Sequence, residues 1–332
     1  MRRTVEGVGV TPPKPIVPGK VCLVTAGCVS RQFRLAPNRK TLKILWKCFA
    51  AACDKFAGRI EMHAFQMMSN HYHLLLTDVK GVLPEFMEWL DSLIARSLNA
   101  LRGVSGKNFE GYSFQVIDPD DTDRILRAAV YILCNPCKAH LVSRCKHWKG
   151  VSSYGMKFGA SKTVKTPALG MWTGKVAHLR SDKSARSGRA KYARTKIPEE
   201  STIVLHRPPG FDHLTDAQLD KMLKNALTVE EEELIAIRKR KTIEVTGWDE
   251  VTCQHWAQMP GSSRELFDRN PDVAASTEER RERLEREVRE FRAAYYAALR
   301  RFKAGEHDVE FPYGTWLLVQ RYGRRCAPPP DC

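Results

Sequence analysis

Two histidines separated by one residue, His71 and His73, are the side chains of this sequence best placed to bind a metal. They run into the apolar stretch 74–76, which is typical of a buried strand. Alternate side chains of a strand project from one face, so the two imidazoles would lie side by side, with Tyr72 on the other face. Two neutral imidazoles can share a divalent ion. The pair therefore predicts a metal site that lacks a further ligand, although such a pair can also be two histidines without a ligand role.

A tyrosine and an asparagine four residues apart, Tyr131 and Asn135, form a second candidate element. On a helix these positions share one face. If that face packs over the histidine strand, the Asn135 carbonyl supplies a third neutral ligand and Tyr131 stands beside the metal. A phenol, with an ordinary pKa of about 10, is a weak nucleophile. A metal on a phosphate oxygen would stabilise the developing charge while Tyr131 displaces a 3′-hydroxyl. Alternatively, Tyr131 is a core residue on an apolar helix face.

A group of thiols and imidazoles between residues 134 and 147 offers a different kind of ligand set. Its members are Cys134, Cys137, His140, Cys145 and His147. Thiolates and imidazoles suit zinc, but this spacing matches no common zinc knuckle, so structural zinc and buried free thiols both stay open. The chain has 10 cysteines and no apolar segment near its first residue that would form a signal peptide. We therefore expect reduced thiols in a cytosolic protein.

The composition points to a polyanionic partner. The chain has 332 residues, a hydrophobic fraction of 43% and a formal net charge of +16. This length predicts two domains, or one domain with long appendages. The basic balance favours nucleic acid as the partner, the alternative being a merely basic soluble protein. Since the sequence has no apolar run of roughly 18 residues, no helix spanning a membrane is expected.

The elements that must position these side chains follow from hydrophobic periodicity. Apolar residues recur with strand or helix spacing in the order strand, helix, strand, strand, helix, strand, over residues 21–26, 41–56, 59–67, 71–77, 83–101 and 112–117. This order is the split βαβ, or ferredoxin-like, pattern of an antiparallel sheet with helices. Asp121 and its acidic neighbours open a last helix, and Pro136 is expected to end it.

Beyond residue 155 the amino-acid composition of the chain changes twice. Residues 156–198 contain eleven Lys or Arg but few acids, which predicts a flexible basic arm on DNA phosphates, with a solvated linker as the alternative. The candidate DNA-binding residues are Lys138, Lys157, Lys162, Lys165, Arg186, Arg189, Lys191 and Arg194. Residues 199–332 form a mostly helical extension, with helices expected over 215–227 and 228–240. A capping box, Ser276 with Glu279, is expected to start a further long helix.

Two segments together resemble a known family. The stretch 64–76, Ala-Phe-Gln-Met-Met-Ser-Asn-His-Tyr-His-Leu-Leu-Leu, resembles the HUH motif of the single-tyrosine HUH transposases, and most of all the REP-associated tyrosine transposases. Tyr131-Ile132-Leu133-Cys134-Asn135-Pro136 is similar to the Tyr-Ile-x-x-Asn-Pro segment that carries the family's nucleophile. The resemblance covers residues 16–154. The first strand departs from the family's His-Val-Thr-x-Arg pattern, and His140 replaces a small residue.

The resemblance implies a specific fold and chemistry. It implies an α+β HUH endonuclease domain over residues 16–155, with Tyr131 as nucleophile and His71, His73 and Asn135 as ligands of Mg²⁺ or Mn²⁺. Tyr72 is then a packing residue. The implied function is cleavage and transfer of single-stranded or hairpin DNA through a 5′-phosphotyrosine, as in DNA transposition and recombination, by a bacterial cytoplasmic protein associated with the nucleoid. The alternative is a domesticated relative that binds hairpin DNA without cutting. The DNA sequence, the choice between monomer and homodimer, and the role of residues 199–332 stay open.

Overall fold

The structure is a computed structural model that describes residues 12–167, 197–261 and 271–330. Its strands are β1 (Lys20–Cys28), β2 (Ile60–Met67), β3 (His71–Asp78), β4 (Phe109–Ile117), β5 (Ser161–Lys165) and β6 (Glu200–Val204). Its helices are α1 (Arg39–Lys55), α2 (Leu83–Arg102), α3 (Thr122–Lys138), α4 (Asp216–Lys241), α5 (Trp248–Cys253), α6 (Glu278–Lys303) and α7 (Leu317–Tyr322).

The main sheet has four strands in the order β2-β3-β1-β4, and every neighbouring pair is antiparallel. This arrangement confirms the predicted α+β fold with a split βαβ sheet, and the chain continues into a largely helical C-terminal region. β3 lies inside the sheet with both faces covered, which explains its continuous apolar run Leu74-Leu75-Leu76.

The two faces of the sheet carry different helices. Phe65 of β2 contacts Trp46 of α1, and Tyr72 of β3 contacts Asp91 of α2, so α1 and α2 cover one face. On the other face, His73 of β3 contacts Tyr131 of α3. The third helix is therefore separated from the first two by the thickness of the sheet, and the odd-numbered positions of β3 point towards it.

Local sequence signals explain most helix ends. Asn38 caps α1 by accepting a hydrogen bond from the Thr41 amide at 2.9 Å, and Asp121 caps α3 in the same way through Arg124 at 3.1 Å. Pro84 lies in the first turn of α2. Gly103, in the left-handed conformation with φ of 66°, ends α2.

Three boundary predictions are wrong. α3 does not end at Pro136 but continues to Lys138, because a proline in the last turn removes few intrahelical hydrogen bonds. The two helices expected over 215–227 and 228–240 are the single helix α4, which begins at a capping box formed by Thr215 and Gln218. The cap of α6 is Thr277 rather than Ser276, since the Ser276 amide donates instead to Asp121 at 2.7 Å.

The first part of the predicted basic arm is a strand. β5 pairs with β6 in an antiparallel two-stranded sheet that lies against α1. The buried Lys47 of α1 fastens it by donating to Ser201 Oγ at 2.9 Å and to the Glu199 carbonyl at 3.2 Å. Residues 161–165 thus form a paired strand, whereas the sequence predicted a flexible arm. The remainder of that prediction, with Arg186, Arg189, Lys191 and Arg194, falls on residues 168–196, outside the described part of the chain.

The C-terminal region packs directly on the first half of the chain. Leu227 and Leu234 of α4 join a core cluster with Val130 and Leu133 of α3. At the edge of the main sheet, Val116 of β4 exchanges backbone hydrogen bonds with residues 272 and 274, at 3.0 and 2.9 Å. Within the described ranges, none of the helices has the length and apolar character needed to cross a membrane.

Candidate metal and nucleophile site

The strand geometry brings the two histidines together as predicted. His71 and His73 lie on the same face of β3 with ring centroids 4.9 Å apart and planes at 79°. In the sheet register, His73 stands between Thr25 of β1 and Gln66 of β2. Both ligand candidates therefore lie on a rigid inner strand, where backbone pairing on each side limits their movement.

The neighbours of the histidines select one tautomer for each ring. His71 Nδ1 is 2.7 Å from Asn70 Oδ1, and His73 Nδ1 is 2.8 Å from Thr25 Oγ1. An amide oxygen can only accept, so the Nδ1 atom of His71 carries the proton, and the Thr25 hydroxyl can accept from His73 in the same way. In both rings Nε2 then carries no proton and can act as an acceptor, which is the form that ligates a metal.

Asn135 comes to the same point from α3. Its side chain is 7% exposed, and its Nδ2 lies 3.2 Å from His73 Nε2. A hydrogen bond that protonated His71 donates to the Asn135 side chain raises the pKa of His71, against a larger lowering by burial. Rotating the amide by half a turn exchanges its oxygen and nitrogen, which are interchangeable in shape. Asn135 can therefore present its carbonyl oxygen towards His73 Nε2.

Burial keeps both imidazoles neutral. It lowers the pKa of His71 to about 4, and it lowers the pKa of His73 well below its ordinary value, with a further contribution from the adjacent His71. Neutral imidazoles are required for metal ligation. The residues present thus fit a divalent ion, which could take two imidazole nitrogens and one amide oxygen as ligands.

Tyr131 stands beside this group and reaches solvent. Its ring centroid is 5.5 Å from that of His73, with planes at 70°, and 39% of the residue is exposed. Lys138 Nζ lies 5.1 Å from the centroid of the Tyr131 ring. Tyr131, Asn135 and Lys138 are spaced by four and three residues, so α3 presents them on one face.

Tyr72, between the histidines, has a different environment. It is fully buried on the other face of the sheet, and its hydroxyl donates to the carboxylate of Asp91 in α2. Burial raises the pKa of Asp91 to about 7, and the hydrogen bond from Tyr72 opposes this change. Tyr72 is therefore a core residue without access to the candidate ligands.

Of the basic residues predicted to bind DNA, the described part of the chain brings Lys138 to this site. Lys157 is exposed beyond the turn that follows Tyr154. Lys162 lies 3.6 Å from the centroid of the Trp46 ring, and Lys165 pairs with Glu200 at 3.2 Å. These last two lysines belong to β5 in the two-stranded sheet against α1, on the opposite side of the main sheet from the histidines.

Sequence reasoning missed the residues that surround the ligands. Thr25 and Asn70 orient the histidines, and Gln66 lies next to His73 across the strand pair. Gln66 is 1% exposed, and the Ser152 hydroxyl donates to its Oε1 at 2.7 Å. Its Nε2 has no hydrogen-bond partner among the described residues. Only the sheet register identifies Thr25 and Gln66, whereas Asn70 adjoins His71 in the sequence.

Comparison with known proteins gives a limited result. No protein-family model matches the chain, and no curated protein sequence matches it. The solved structure of a REP-associated tyrosine transposase bound to a REP hairpin is similar over 45% of this chain and 83% of that chain, with 16% sequence identity and a TM-score of 0.32. The likeness is a remote one.

Proposed function

We propose that this chain is a metal-dependent endonuclease and strand transferase for single-stranded or hairpin DNA, with Tyr131 as the nucleophile. The observation that supports it most directly is the convergence of three neutral ligands and a solvent-accessible phenol. His71 and His73 are adjacent, Asn135 lies 3.2 Å from His73 Nε2, and Tyr131 lies against His73. The histidine strand and the helix α3 come from distant parts of the sequence. The strand supplies two ligands, and the helix supplies the third ligand and the nucleophile.

The residues have distinct roles in the proposed reaction. A bound divalent ion would polarise a phosphate oxygen and offset the negative charge that develops on it. Tyr131 Oη attacks the phosphorus in line, the bond to the 3′ oxygen breaks, and that oxygen leaves as a 3′-hydroxyl after taking up a proton. The phenol proton passes to water, to which Tyr131 is exposed. The ammonium of Lys138, close to the Tyr131 ring, places a positive charge beside the nucleophile, where it can contact a DNA phosphate.

The product is a 5′-phosphotyrosine, which keeps the phosphodiester bond energy in a covalent linkage. A 3′-hydroxyl from the same or another strand can attack that phosphorus, and Tyr131 then leaves with its original bond restored. One site can therefore both cut and rejoin DNA without an external energy source. This reversibility is what a transposition or recombination reaction requires of its catalyst.

The donor set limits the choice of ion. Amide oxygen and water suit Mg²⁺ and Mn²⁺, whereas two imidazoles favour the later transition metals over Mg²⁺. Mn²⁺ accommodates both kinds of donor, so we expect it to bind more tightly than Mg²⁺. Mg²⁺ would support the reaction at higher concentration.

The experiment is a cleavage assay with labelled DNA. Wild-type protein and the Tyr131→Phe variant are incubated with Mg²⁺ or Mn²⁺ and a set of single-stranded and hairpin oligonucleotides, starting with REP-like hairpins. The proposal expects cleavage and a covalent adduct on denaturing gels with the wild type, and no adduct with the variant at nearly unchanged DNA affinity. A variant that still cuts would overturn the role of Tyr131. DNA binding by the wild type without an adduct under any condition would favour the non-cleaving hairpin binder.

A further inference from the structure

Three thiols and one carboxylate meet in the interior, at the C-terminal end of α3. Cys145 Sγ lies 3.6 Å from Cys137 Sγ and 3.4 Å from Cys134 Sγ. Ligand atoms of Cys137, Cys145 and Glu231 all lie within 4.8 Å of one another, and all these residues are buried. Cys134 and Cys137 are three residues apart on α3, so they point to the same side, because the helix continues through Pro136.

The separations between the sulfur atoms exclude disulfide bonds and are close to those expected around a zinc ion. A disulfide requires a sulfur–sulfur distance of about 2.05 Å, so neither pair is bonded. Two thiolates on one tetrahedral zinc ion, with Zn–S bonds of about 2.3 Å, stand roughly 3.8 Å apart. The distances of 3.4 and 3.6 Å are close to this value. The cluster thus has nearly the sulfur spacing of a zinc site.

The fourth polar group comes from α4. Glu231 is 8% exposed, and one of its oxygens accepts a hydrogen bond from the Cys145 amide at 2.5 Å. A buried carboxylate is costly unless it is paired or bound to a metal. Its nearest cation, Arg144, lies 3.5 Å from it and makes a closer contact, at 2.9 Å, with Glu232.

The surroundings supply positive charge for a site rich in anionic ligands. Arg238, only 6% exposed, lies in the wall of the cluster and donates to the carbonyls of Cys137 at 3.0 Å and Ser143 at 2.6 Å. Three thiolates and a carboxylate around one divalent ion carry a net negative charge, which Arg238 and Arg144 partly offset. His147 is exposed and bonded to Ser143 at 2.7 Å, so it lies outside the set.

We propose that Cys137, Cys145 and Glu231, completed by Cys134, bind a structural zinc ion. The ion joins three pieces of chain: the end of α3, the segment 141–147 and the middle of α4. α3 also carries Tyr131 and Asn135, so the zinc holds the backbone that supports the candidate site. The inference does not depend on Tyr131 being a nucleophile, because it concerns a different set of ligands.

The test uses the full chain, expressed with zinc in the medium and dialysed against metal-free buffer. We expect a stoichiometric amount of zinc to remain bound to the wild type. After replacement by Co²⁺, a thiolate-to-cobalt charge-transfer band should appear in the near ultraviolet. Cys145→Ser and Glu231→Gln should lose the retained zinc. His73→Ala should keep it, as should the matched control Cys48→Ser, whose buried new hydroxyl would face Ser97 Oγ.

Several results would overturn the proposal. One is a wild-type protein that retains no zinc and gives no cobalt–thiolate band, and another is zinc retained at the wild-type level in Cys145→Ser or in Glu231→Gln. A disulfide between Cys145 and either neighbouring cysteine in the freshly purified protein would also exclude the site. If a variant does not fold, X-ray absorption of zinc in the wild type decides: sulfur neighbours at about 2.3 Å support the site, and a shell of only nitrogen and oxygen excludes it.

Discussion

At the scale of single residues, the histidine pair depends on its less conspicuous neighbours. Thr25 and Asn70 hold the Nδ1 atoms of His73 and His71, which leaves each Nε2 free to bind a metal. Partners of this kind fix ring orientation and raise the basicity of a ligand. A threonine on the first strand, which has no motif of its own, is thus expected to contribute to metal affinity.

The change Thr25→Val tests this contribution. Valine keeps the branched shape but removes the hydroxyl, so Mn²⁺ affinity should fall about 10- to 100-fold. The measurement is Mn²⁺ binding by electron paramagnetic resonance, together with the Mn²⁺ dependence of DNA cleavage. Thr25→Ser, which restores the hydroxyl, should recover most of the affinity. Equal affinities in Thr25→Val and the wild type would show that the hydroxyl does not orient His73.

The raised pKa of Asp91 predicts an unusual dependence of stability on pH. Its pKa is raised from 3.8 to about 7, chiefly by burial, so the folded state favours the protonated acid. Between these two pH values the folded state binds more protons than the unfolded state, and the free energy of unfolding therefore falls as pH rises. The loss is complete above pH 7 and is on the order of 4 kcal/mol, at about 1.4 kcal/mol per pKa unit.

The change Asp91→Asn should remove this loss, because the amide can still accept from Tyr72 and does not ionise. We expect the variant to be more stable than the wild type at pH 8 and similar to it at pH 4.5. Urea unfolding at the two pH values provides the comparison, with Glu282→Gln on the exposed face of α6 as a control. A wild-type protein whose advantage over Asp91→Asn grows towards pH 8 would contradict the assignment.

At the scale of secondary-structure elements, the sequence was sufficient for the main sheet but not for everything packed on it. The alternation and runs of β1 to β4 and the apolar stripes of α1 and α2 follow the period of each element, so their order could be predicted. The pairing of His71, His73, Tyr131 and Asn135 could also be proposed. The partners Thr25, Gln66 and Glu231 could not, because their roles depend on strand register and on a contact between α3 and α4.

Propensity rules also failed where tertiary contacts outweigh them. Pro136 lies inside the last turn of α3, where packing of Cys134 and Cys137 into a core cluster holds the helix together. Lys47 is buried, which is unusual for a lysine, because it holds the sheet of β5 and β6 against α1. A lysine-rich strand of this kind has no pattern that separates it from a basic linker.

The helix α4 supports α3, and Leu234→Ala tests this contact. Leu234 is buried between the two helices, so its truncation should lower the free energy of unfolding by about 2–5 kcal/mol. DNA cleavage should decrease as well, since the helix that carries Tyr131 and Asn135 loses part of its packing against α4. Val229→Ala, at a position 61% exposed on the same helix, should change stability by less than about 0.5 kcal/mol. Similar losses in the two variants would rule out a specific contact.

At the scale of the whole molecule, the net charge of +16 is the property that most favours DNA as partner. Phosphate contacts by Lys and Arg make binding fall with salt in proportion to the number of contacts. The basic residues 186–194 remain a prediction from the sequence. If they contact single-stranded DNA, they should contribute to the slope of affinity against salt concentration.

A charge-matched pair of variants tests that contribution. Replacing Arg186, Arg189, Lys191 and Arg194 by Gln should reduce the slope of log affinity against log salt by about 3, at roughly 0.7 per phosphate contact. The control replaces four exposed arginines of α6 by Gln, namely Arg281, Arg286, Arg289 and Arg300. It changes the net charge equally but should leave the slope almost unaltered. Equal reductions would mean that net charge alone governs binding.

The central claim is that Tyr131 becomes covalently attached to DNA. The most direct measurement is to isolate the protein–DNA adduct formed with Mn²⁺, digest both components, and identify the modified residue by mass spectrometry. We expect a nucleotide 5′-phosphate on Tyr131, on a peptide that also contains Asn135, and none on Tyr72 or Tyr112. A phosphate linkage on any other residue, or an adduct that forms equally well in Tyr131→Phe, would contradict it.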